Sequence, residues 1–81
     1  MNRDYKSVDD NVIAGRNAVS ELLRSGREVD RIIVEKGRSE GSLAVILAKA
    51  ADRGIPIKEV AREKLNAMCP QTNHQGIAAV A

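Results

Sequence analysis

Aromatic side chains are almost missing from this sequence of 81 residues, which contains Tyr5 but no Phe and no Trp. RNA-binding sheets that stack bases use aromatic rings for the contact, so the deficit argues against that class of domain. The core has to be built from Leu, Ile, Val and Ala. A chain of this length has room for one hydrophobic core, and we therefore expect a single domain.

Cysteine and histidine are equally scarce, with one residue of each type, Cys69 and His74. A lone cysteine cannot form an internal disulfide, which indicates a reducing, cytoplasmic setting. Two such residues cannot complete a four-ligand zinc site. A Cys–His pair can in principle supply a nucleophile, but Cys69 precedes Pro70 at a predicted helix end, which favours a buried or capping cysteine. We therefore do not expect an independent enzyme.

Long apolar runs and runs of like charge are also missing. No stretch is long enough to span a membrane, and residues 1–10 lack the apolar core of a signal peptide. We expect residues 1–10 to form a disordered tail ahead of a domain at 11–81. The formal net charge of +2 gives by itself only weak support for a nucleic-acid partner.

The apolar pattern predicts strands and helices in the order β-α-β-α-β-α-β. Strands are predicted at 12–14, 30–35, 55–60 and 77–80. The three helices are predicted to run from Asn17 to Gly26, from Ser42 to Gly54 and over 61–68, with Asn17 and Ser42 as N-caps and the two glycines as terminators. Strands that alternate with helices favour a parallel or mixed sheet with helices on its faces.

One polar segment, Gly15-Arg16-Asn17, lies where the first strand meets the first helix. A helix start offers free backbone N–H groups and a partial positive charge, and glycine allows a close approach. Arg16 adds a planar fork that suits phosphate. The segment either holds a phosphodiester or is a capped helix start with a solvated arginine.

A second polar segment occupies 71–76 and contains Asn73, His74 and Gln75. Amide and imidazole groups both donate and accept hydrogen bonds, so they can contact base edges or 2′-hydroxyls. The alternative is a polar turn that satisfies its own backbone groups.

Lys36 and Arg38 follow the second strand, in a loop that lacks the Gly-Lys-Ser/Thr ending of a phosphate-binding loop. They would lie beside residues 15–17 if the first two strands run parallel, because ligands gather outside the carboxyl ends of such strands. A basic, hydrogen-bonding rim is the expected result.

Four stretches together resemble one known family: VIAGRNAV at 12–19, ELL at 21–23, GIPI at 54–57 and NHQGIAA at 73–79. They are similar to the N-terminal substrate-binding domain of the SpoU (TrmH) family of RNA 2′-O-ribose methyltransferases. The resemblance covers residues 12–80 and is greatest to enzymes that methylate a guanosine ribose in large-subunit ribosomal RNA.

This resemblance implies an α/β fold, a three-layer α/β/α sandwich with a four-stranded mixed sheet, similar to kink-turn-binding ribosomal proteins. It also implies that the loop after the first strand and the loop before the last strand lie together on the RNA-contacting edge. Mapped onto this sequence, the implied RNA-binding residues are Gly15, Arg16, Asn17, Asn73, His74 and Gln75.

The implied function is to bind structured ribosomal RNA and to present it to a catalytic domain that uses S-adenosylmethionine. No motif of that domain is present up to Ala81, so we expect a domain excised from a longer enzyme, without cofactor or methyltransferase activity of its own. The implied partners are RNA and the catalytic domain, with a monomeric isolated domain and a homodimeric parent. Two alternatives remain open: a protein-interaction module whose 73–75 loop docks on the catalytic domain, and a free-standing kink-turn binder.

Overall fold

The computed structural model describes residues 12–38, 40–70 and 73–81. Strands and helices alternate within these residues in the predicted order. They are β1 (Val12–Ala14), α1 (Arg16–Arg24), β2 (Arg31–Glu35), α2 (Ser42–Asp52), β3 (Ile57–Val60), α3 (Arg62–Met68) and β4 (Ile77–Val80). The tail predicted at 1–10 lies outside the described residues.

The sheet is mixed, with the strand order β1-β4-β2-β3. β4 pairs antiparallel with both β1 and β2, so that Ala79 lies opposite Ile13 on one side and Ile32 on the other. β3 adds to β2 in parallel. Because β1 and β2 are both antiparallel to β4, their carboxyl ends lie at the same edge of the sheet as the amino end of β4. The candidate site lies at this edge.

The two faces of the sheet are covered by different helices, which confirms the three-layer α/β/α sandwich. Side chains alternate along a strand, so Ile77 and Ala79 of β4 pack with α1 and α2, whereas Ala78 packs on the face that α3 covers. α3 is anchored by Leu65, which is fully buried. Truncating such a leucine to alanine costs about 2–5 kcal/mol.

Glycines rather than polar side chains occupy the N-cap positions of the two longer helices. Gly15 precedes α1 and Gly41 precedes α2, and neither helix has a side-chain cap from its own cap residue. The predicted caps at Asn17 and Ser42 are wrong, because both residues already lie in the first helical turn. The N-cap position itself, from which a side chain accepts the N–H groups of the first turn, belongs to Gly15 and Gly41.

The predicted helix ends are confirmed, because Gly26 and Gly54 follow α1 and α2 with positive φ angles of 79° and 74°. The end of α1 has a further partner that the sequence did not reveal. The guanidinium of Arg53 donates to the carbonyl oxygens of Leu23 at 3.0 Å and of Arg27 at 2.9 Å. No helix in the described part of the chain is long and apolar enough to cross a membrane.

Candidate functional site

The segments after β1 and before β4 are 59 positions apart in sequence, yet direct hydrogen bonds join them. The backbone N–H of Arg16 donates to Oε1 of Gln75 at 2.9 Å, and Nε of Arg16 donates to the Gln75 carbonyl oxygen at 3.1 Å. The N–H of Gly15 donates to the Ile77 carbonyl oxygen at 3.1 Å, which extends the β1–β4 ladder. The first polar segment and the described part of the second, residues 73–76, therefore form one continuous edge.

Backbone conformation at this edge is unusual in both segments. Gly15 has φ 102°, which L side chains rarely adopt, so glycine is required here by conformation. Gln75 has φ 56° and is a non-glycine residue with positive φ. A residue in the left-handed region costs about 1–3 kcal/mol and persists where its surroundings hold it. The two hydrogen bonds to Arg16 are the contacts that hold Gln75.

The Arg16 side chain is partly buried and forms hydrogen bonds with three residues. In addition to its bond to Gln75, Nη1 donates to Oγ of Ser42 at 3.1 Å and Nη2 donates to Oε2 of Glu40 at 3.3 Å. Its side chain is 22% exposed, so it is not the freely solvated arginine that the sequence left open. Ser42, predicted as a helix cap, instead accepts this guanidinium bond.

Arg38 is linked to the same edge by salt bridges to two glutamates. Its Nη2 donates to Oε2 of Glu40 at 2.9 Å, and its Nη1 lies 3.5 Å from Oε1 of Glu35. A Cβ added at Gly76 would lie 3.3 Å from Arg38 Nη1, closer than an ordinary contact, so glycine at 76 leaves the space that the guanidinium occupies.

Glu40 and Arg38 shift each other's pKa. The hydrogen bond from Arg38, followed by one from the backbone of Glu40 and by a smaller contribution from Arg16, lowers the pKa of the Glu40 carboxyl from 4.5 to about 2. The hydrogen bond and charge of Glu40 raise the pKa of the Arg38 guanidinium. Glu40 and Arg38 are therefore both charged at neutral pH. No sequence pattern pointed to Glu40.

The remaining predicted residues take different positions. Asn17 and Asn73 are exposed. The carbonyl oxygen of Asn73 faces Gly15, and a Cβ added at Gly15 would lie 3.7 Å from it. Lys36 is exposed at the carboxyl end of β2, and its N–H donates to the Val60 carbonyl oxygen at 2.8 Å. β1 and β2 run in the same direction, but the amino end of β4 lies between them. Lys36 is thus not directly beside residues 15–17, whereas Arg38 is linked to them through Glu40.

His74 differs from the other candidates because it is buried, with 9% exposure. Its Nδ1 accepts a hydrogen bond from the Gly76 N–H at 2.9 Å, and its Nε2 lies 2.6 Å from Oδ1 of Asn66. An accepting Nδ1 places the proton of the neutral ring on Nε2, which then donates to Asn66. Both ring nitrogens are thus used inside the protein. No sequence pattern pointed to Asn66, which lies in α3.

The described residues contain one cysteine and one histidine, Cys69 and His74. No group of three His, Cys, Asp or Glu side chains among them is arranged to hold a metal ion. Cys69 is 7% exposed within the cluster under α3, and burial raises the pKa of its thiol. A buried thiol with a raised pKa stays protonated and is a poor nucleophile. This agrees with the buried cysteine favoured by the sequence.

The fold is shared with solved structures whose sequences are remote. A protein of unknown function from Bacillus halodurans C superposes with a TM-score of 0.69 at 19% identity, covering 88% of this chain and 71% of that chain. The Giardia lamblia 15.5kD RNA binding protein gives a TM-score of 0.65 at 14% identity, covering 89% and 61%. These likenesses define the fold class, an α/β/α domain of the type found in that RNA-binding protein.

Sequence comparison identifies the family. Residues 12–81 match the family model described as RNA 2′-O ribose methyltransferase substrate binding. A protein of Mycolicibacterium gilvum named as an uncharacterized tRNA/rRNA methyltransferase is 40% identical over 77 residues, covering 94% of this chain and 24% of its own length. A Staphylococcus aureus protein whose name assigns it to the TrmH family of tRNA/rRNA methyltransferases is 33% identical over 73 residues, covering 90% and 29%.

The chain belongs to the SpoU (TrmH) family of RNA 2′-O-ribose methyltransferase substrate-binding domains, which confirms the resemblance seen in the sequence. It spans about a quarter of the length of these curated relatives, 24% and 29% in the two cases.

Proposed function

We propose that this domain binds structured ribosomal RNA along the edge where β1 and β2 end and β4 begins. The observation that carries the proposal is the pair of hydrogen bonds between Arg16 and Gln75, which makes one surface out of two segments that resemble the family's RNA-contacting loops. Arg38 extends this surface through Glu40. The surface combines cationic groups with exposed amides, and these are the two kinds of contact that RNA recognition needs.

The residues at the edge have different roles in this proposal. Arg16, Lys36 and Arg38 bind phosphates and supply affinity. The amides of Asn17, Asn73 and Gln75 contact base edges or 2′-hydroxyls and supply discrimination. For Gln75 the amide nitrogen is the contacting group, since Oε1 accepts from Arg16.

Two further predicted residues support this edge without offering a free polar side chain. His74 holds the turn before β4 in place, because its ring is buried and bonded on both sides. Gly15 is buried with a φ of 102°, so in this proposal it shapes the turn into α1 that carries Arg16.

Methyl transfer itself belongs, in this proposal, to a catalytic domain of a longer, homodimeric cytoplasmic enzyme that binds S-adenosylmethionine. One pocket on the described surface, of about 420 Å³, lies at the opposite edge of the sheet and is lined by Glu28, Val29, Asp30 and Ala81. Its two carboxylates and lack of aromatic walls suit neither the cofactor's carboxylate nor its adenine ring. In this proposal the described residues bind RNA and present it, and the domain alone is a monomer without methyltransferase activity.

The test is an NMR titration of the 81-residue chain with stem-loops from large-subunit ribosomal RNA. We expect amide shifts at residues 15–17, 36–38 and 73–76, and none on the exposed side of α2. Lys36→Ala is expected to weaken binding about two- to fivefold and to reduce the salt dependence by one phosphate contact or less. Lys49→Ala, which removes an exposed lysine near the end of α2, is the matched control and leaves affinity unchanged.

The same titration distinguishes the protein-docking alternative. If residues 73–75 shift when a separate catalytic domain is added, and no stem-loop shifts them, the segment is a docking surface and the proposed RNA contact is wrong. High affinity for any kinked RNA, without preference for the ribosomal stem-loops, would instead favour a general kink-turn binder.

A further inference from the structure

One carboxylate oxygen at the candidate edge is shared by two guanidinium groups. Oε2 of Glu40 accepts from Nη2 of Arg16 at 3.3 Å and from Nη2 of Arg38 at 2.9 Å. Glu40 is the most exposed of the three, with 58% of its side chain accessible against 22% for Arg16 and 38% for Arg38. A negatively charged oxygen is thus held between two arginines at the surface.

Arg16 does not depend on Glu40 for its position. Its Nε and Nη1 are held by the Gln75 carbonyl oxygen and the Ser42 hydroxyl. If the Glu40 side chain moved away, the Arg16 guanidinium would still lie where it is and would keep Nη2 directed at the same point.

Arg38 has an independent support as well. Its Nη1 lies 3.5 Å from Oε1 of Glu35, a buried carboxylate oxygen for which the structure shows no hydrogen bond. The absence of a Cβ at Gly76 leaves the space that the guanidinium fills. Two pre-positioned arginines therefore converge on one oxygen, and they would converge on another anion in its place.

We propose that the Glu40 carboxylate occupies a phosphate site, and that a backbone phosphate of the bound RNA displaces it to bind both Arg16 and Arg38. Guanidinium groups recognise carboxylate and phosphate oxygens with the same fork geometry, so one anion can replace the other. The displaced carboxylate is exposed, so it can turn into solvent, where water hydrates it. The hydrogen bond from Arg38 also lowers the pKa of Glu40, which agrees with a point that favours an anion.

This inference rests on the proposed function and makes Glu40 a residue that opposes RNA binding. RNA that displaces Glu40 gains contacts to two arginines, but the protein loses the ion pairs of Glu40 with Arg16 and Arg38. Removing the carboxylate's charge leaves the arginines in place and removes this competition. A glutamine at position 40 should therefore bind RNA more tightly than glutamate does.

The experiment compares Glu40→Gln with Glu21→Gln in fluorescence titrations against a labelled ribosomal RNA stem-loop. Glu21 pairs with Arg24 on α1 and is similarly exposed, so its variant makes the same change in net charge away from the site. We expect Glu40→Gln to bind at least about fivefold more tightly than the wild type, and Glu21→Gln to change affinity less than about twofold. Arg38→Ala in the Glu40→Gln background should remove the gain.

Equal affinities for the two glutamine variants would overturn the inference while leaving the proposed function intact. Binding of stem-loops by neither the wild type nor Glu40→Gln would instead overturn the proposed function. A second measurement tests the phosphate site without RNA. Inorganic phosphate is titrated while the Nε–H signals of Arg16 and Arg38 are followed by NMR. The anion site is supported if both signals shift at lower phosphate concentration in Glu40→Gln than in Glu21→Gln, and it is rejected if the variants respond alike.

Discussion

Gln75 caps a helix that begins 59 residues earlier in the chain. Its side-chain oxygen accepts the N–H of Arg16 at 2.9 Å, at the start of α1, where Gly15 as the N-cap residue has no side chain to offer. In return, the Arg16 guanidinium donates to the Gln75 carbonyl oxygen. The start of the first helix and the turn before the last strand thus stabilise each other, and the proposed RNA-binding edge is part of the domain's folding architecture.

Gln75→Ala should therefore destabilise the domain although Gln75 is exposed. The variant loses the acceptor for the Arg16 N–H and keeps an unfavourable positive φ, and loss of a capping side chain costs about 0.5–2 kcal/mol. Urea unfolding followed by circular dichroism measures the change. Asn73→Ala, two residues earlier and also exposed, is the control and should stay within about 0.5 kcal/mol of the wild type. A Gln75→Ala variant as stable as this control would mean that the distant cap contributes nothing.

Arg16→Lys should not behave as a conservative substitution. A guanidinium can donate at the same time to Gln75, Ser42 and Glu40, whereas an ammonium at the end of a flexible stem cannot reproduce that fork. We expect a loss of about 1–2 kcal/mol in the free energy of unfolding, because a hydrogen bond contributes about 1 kcal/mol net. RNA affinity should fall as well.

The control for that substitution is Arg24→Lys on α1. Arg24 makes a surface ion pair with Glu21, and both side chains are about two-thirds or more exposed, at 67% and 72%. A lysine serves such a pair almost as well. If Arg16→Lys and Arg24→Lys unfold at the same urea concentration, the guanidinium network at residue 16 is not a structural element.

The order of secondary-structure elements was predictable because it follows from local patterns. Apolar periodicity and β-branched runs indicated every element, and the glycines at 26 and 54 marked the helix ends. The N-caps were predicted incorrectly because the preference for Asn and Ser is local, whereas α1 is capped by Gln75 from the far end of the chain. A local pattern cannot carry that information.

The candidate edge was predictable only in part, for a similar reason. The resemblance placed residues 15–17 and 73–75 together, and the hydrogen bonds of Arg16 show them joined. The place of β4 between β1 and β2 was not predictable, because strand order depends on tertiary packing. Glu40 and Asn66 were missed since an acidic loop residue and a polar helix residue are ordinary surface residues until the fold places them against Arg38 and His74.

His74→Ala should destabilise the domain more than Asn66→Ala does. The first variant leaves the buried N–H of Gly76 without its acceptor and opens a space at a site that is 9% exposed, which together cost about 2–4 kcal/mol. The second removes the acceptor of the part-buried hydrogen bond from His74 Nε2 but leaves the ring in place, and it should cost about 1–2 kcal/mol. Thermal unfolding of both variants gives the order.

The ring tautomer provides an independent check on His74. The wild-type spectrum should show the neutral ring protonated at Nε2, visible in long-range ¹H–¹⁵N correlations of the imidazole, because Nδ1 accepts from Gly76. A neutral ring protonated at Nδ1 would contradict the hydrogen bond that Nδ1 accepts from the Gly76 N–H.

The pKa of Glu40 makes stability depend on pH in acid. Arg38 and Arg16 hold this pKa at about 2 in the folded chain, against 4.5 for an unperturbed glutamate. Between these values the unfolded chain binds a proton at Glu40 that the folded chain does not, so folding is favoured less as the pH falls. The stabilisation from Glu40 is thus complete above pH 4.5 and disappears as the pH falls through about 2.

Thermal unfolding of the wild type and Glu40→Gln across this range tests the consequence. The difference in Tm between the two proteins should be constant above pH 4.5 and should shrink towards zero as the pH falls through about 2, because the wild-type carboxyl then becomes protonated and resembles the neutral amide. NMR titration of the Glu40 carboxyl carbon measures the pKa directly. In Arg38→Ala that pKa should rise towards 4.5, because the hydrogen bond from Arg38 is the largest cause of the shift. A wild-type Glu40 that titrates near 4.5 would show that neither arginine binds the carboxylate in solution, and the phosphate site inferred from their convergence would lose its basis.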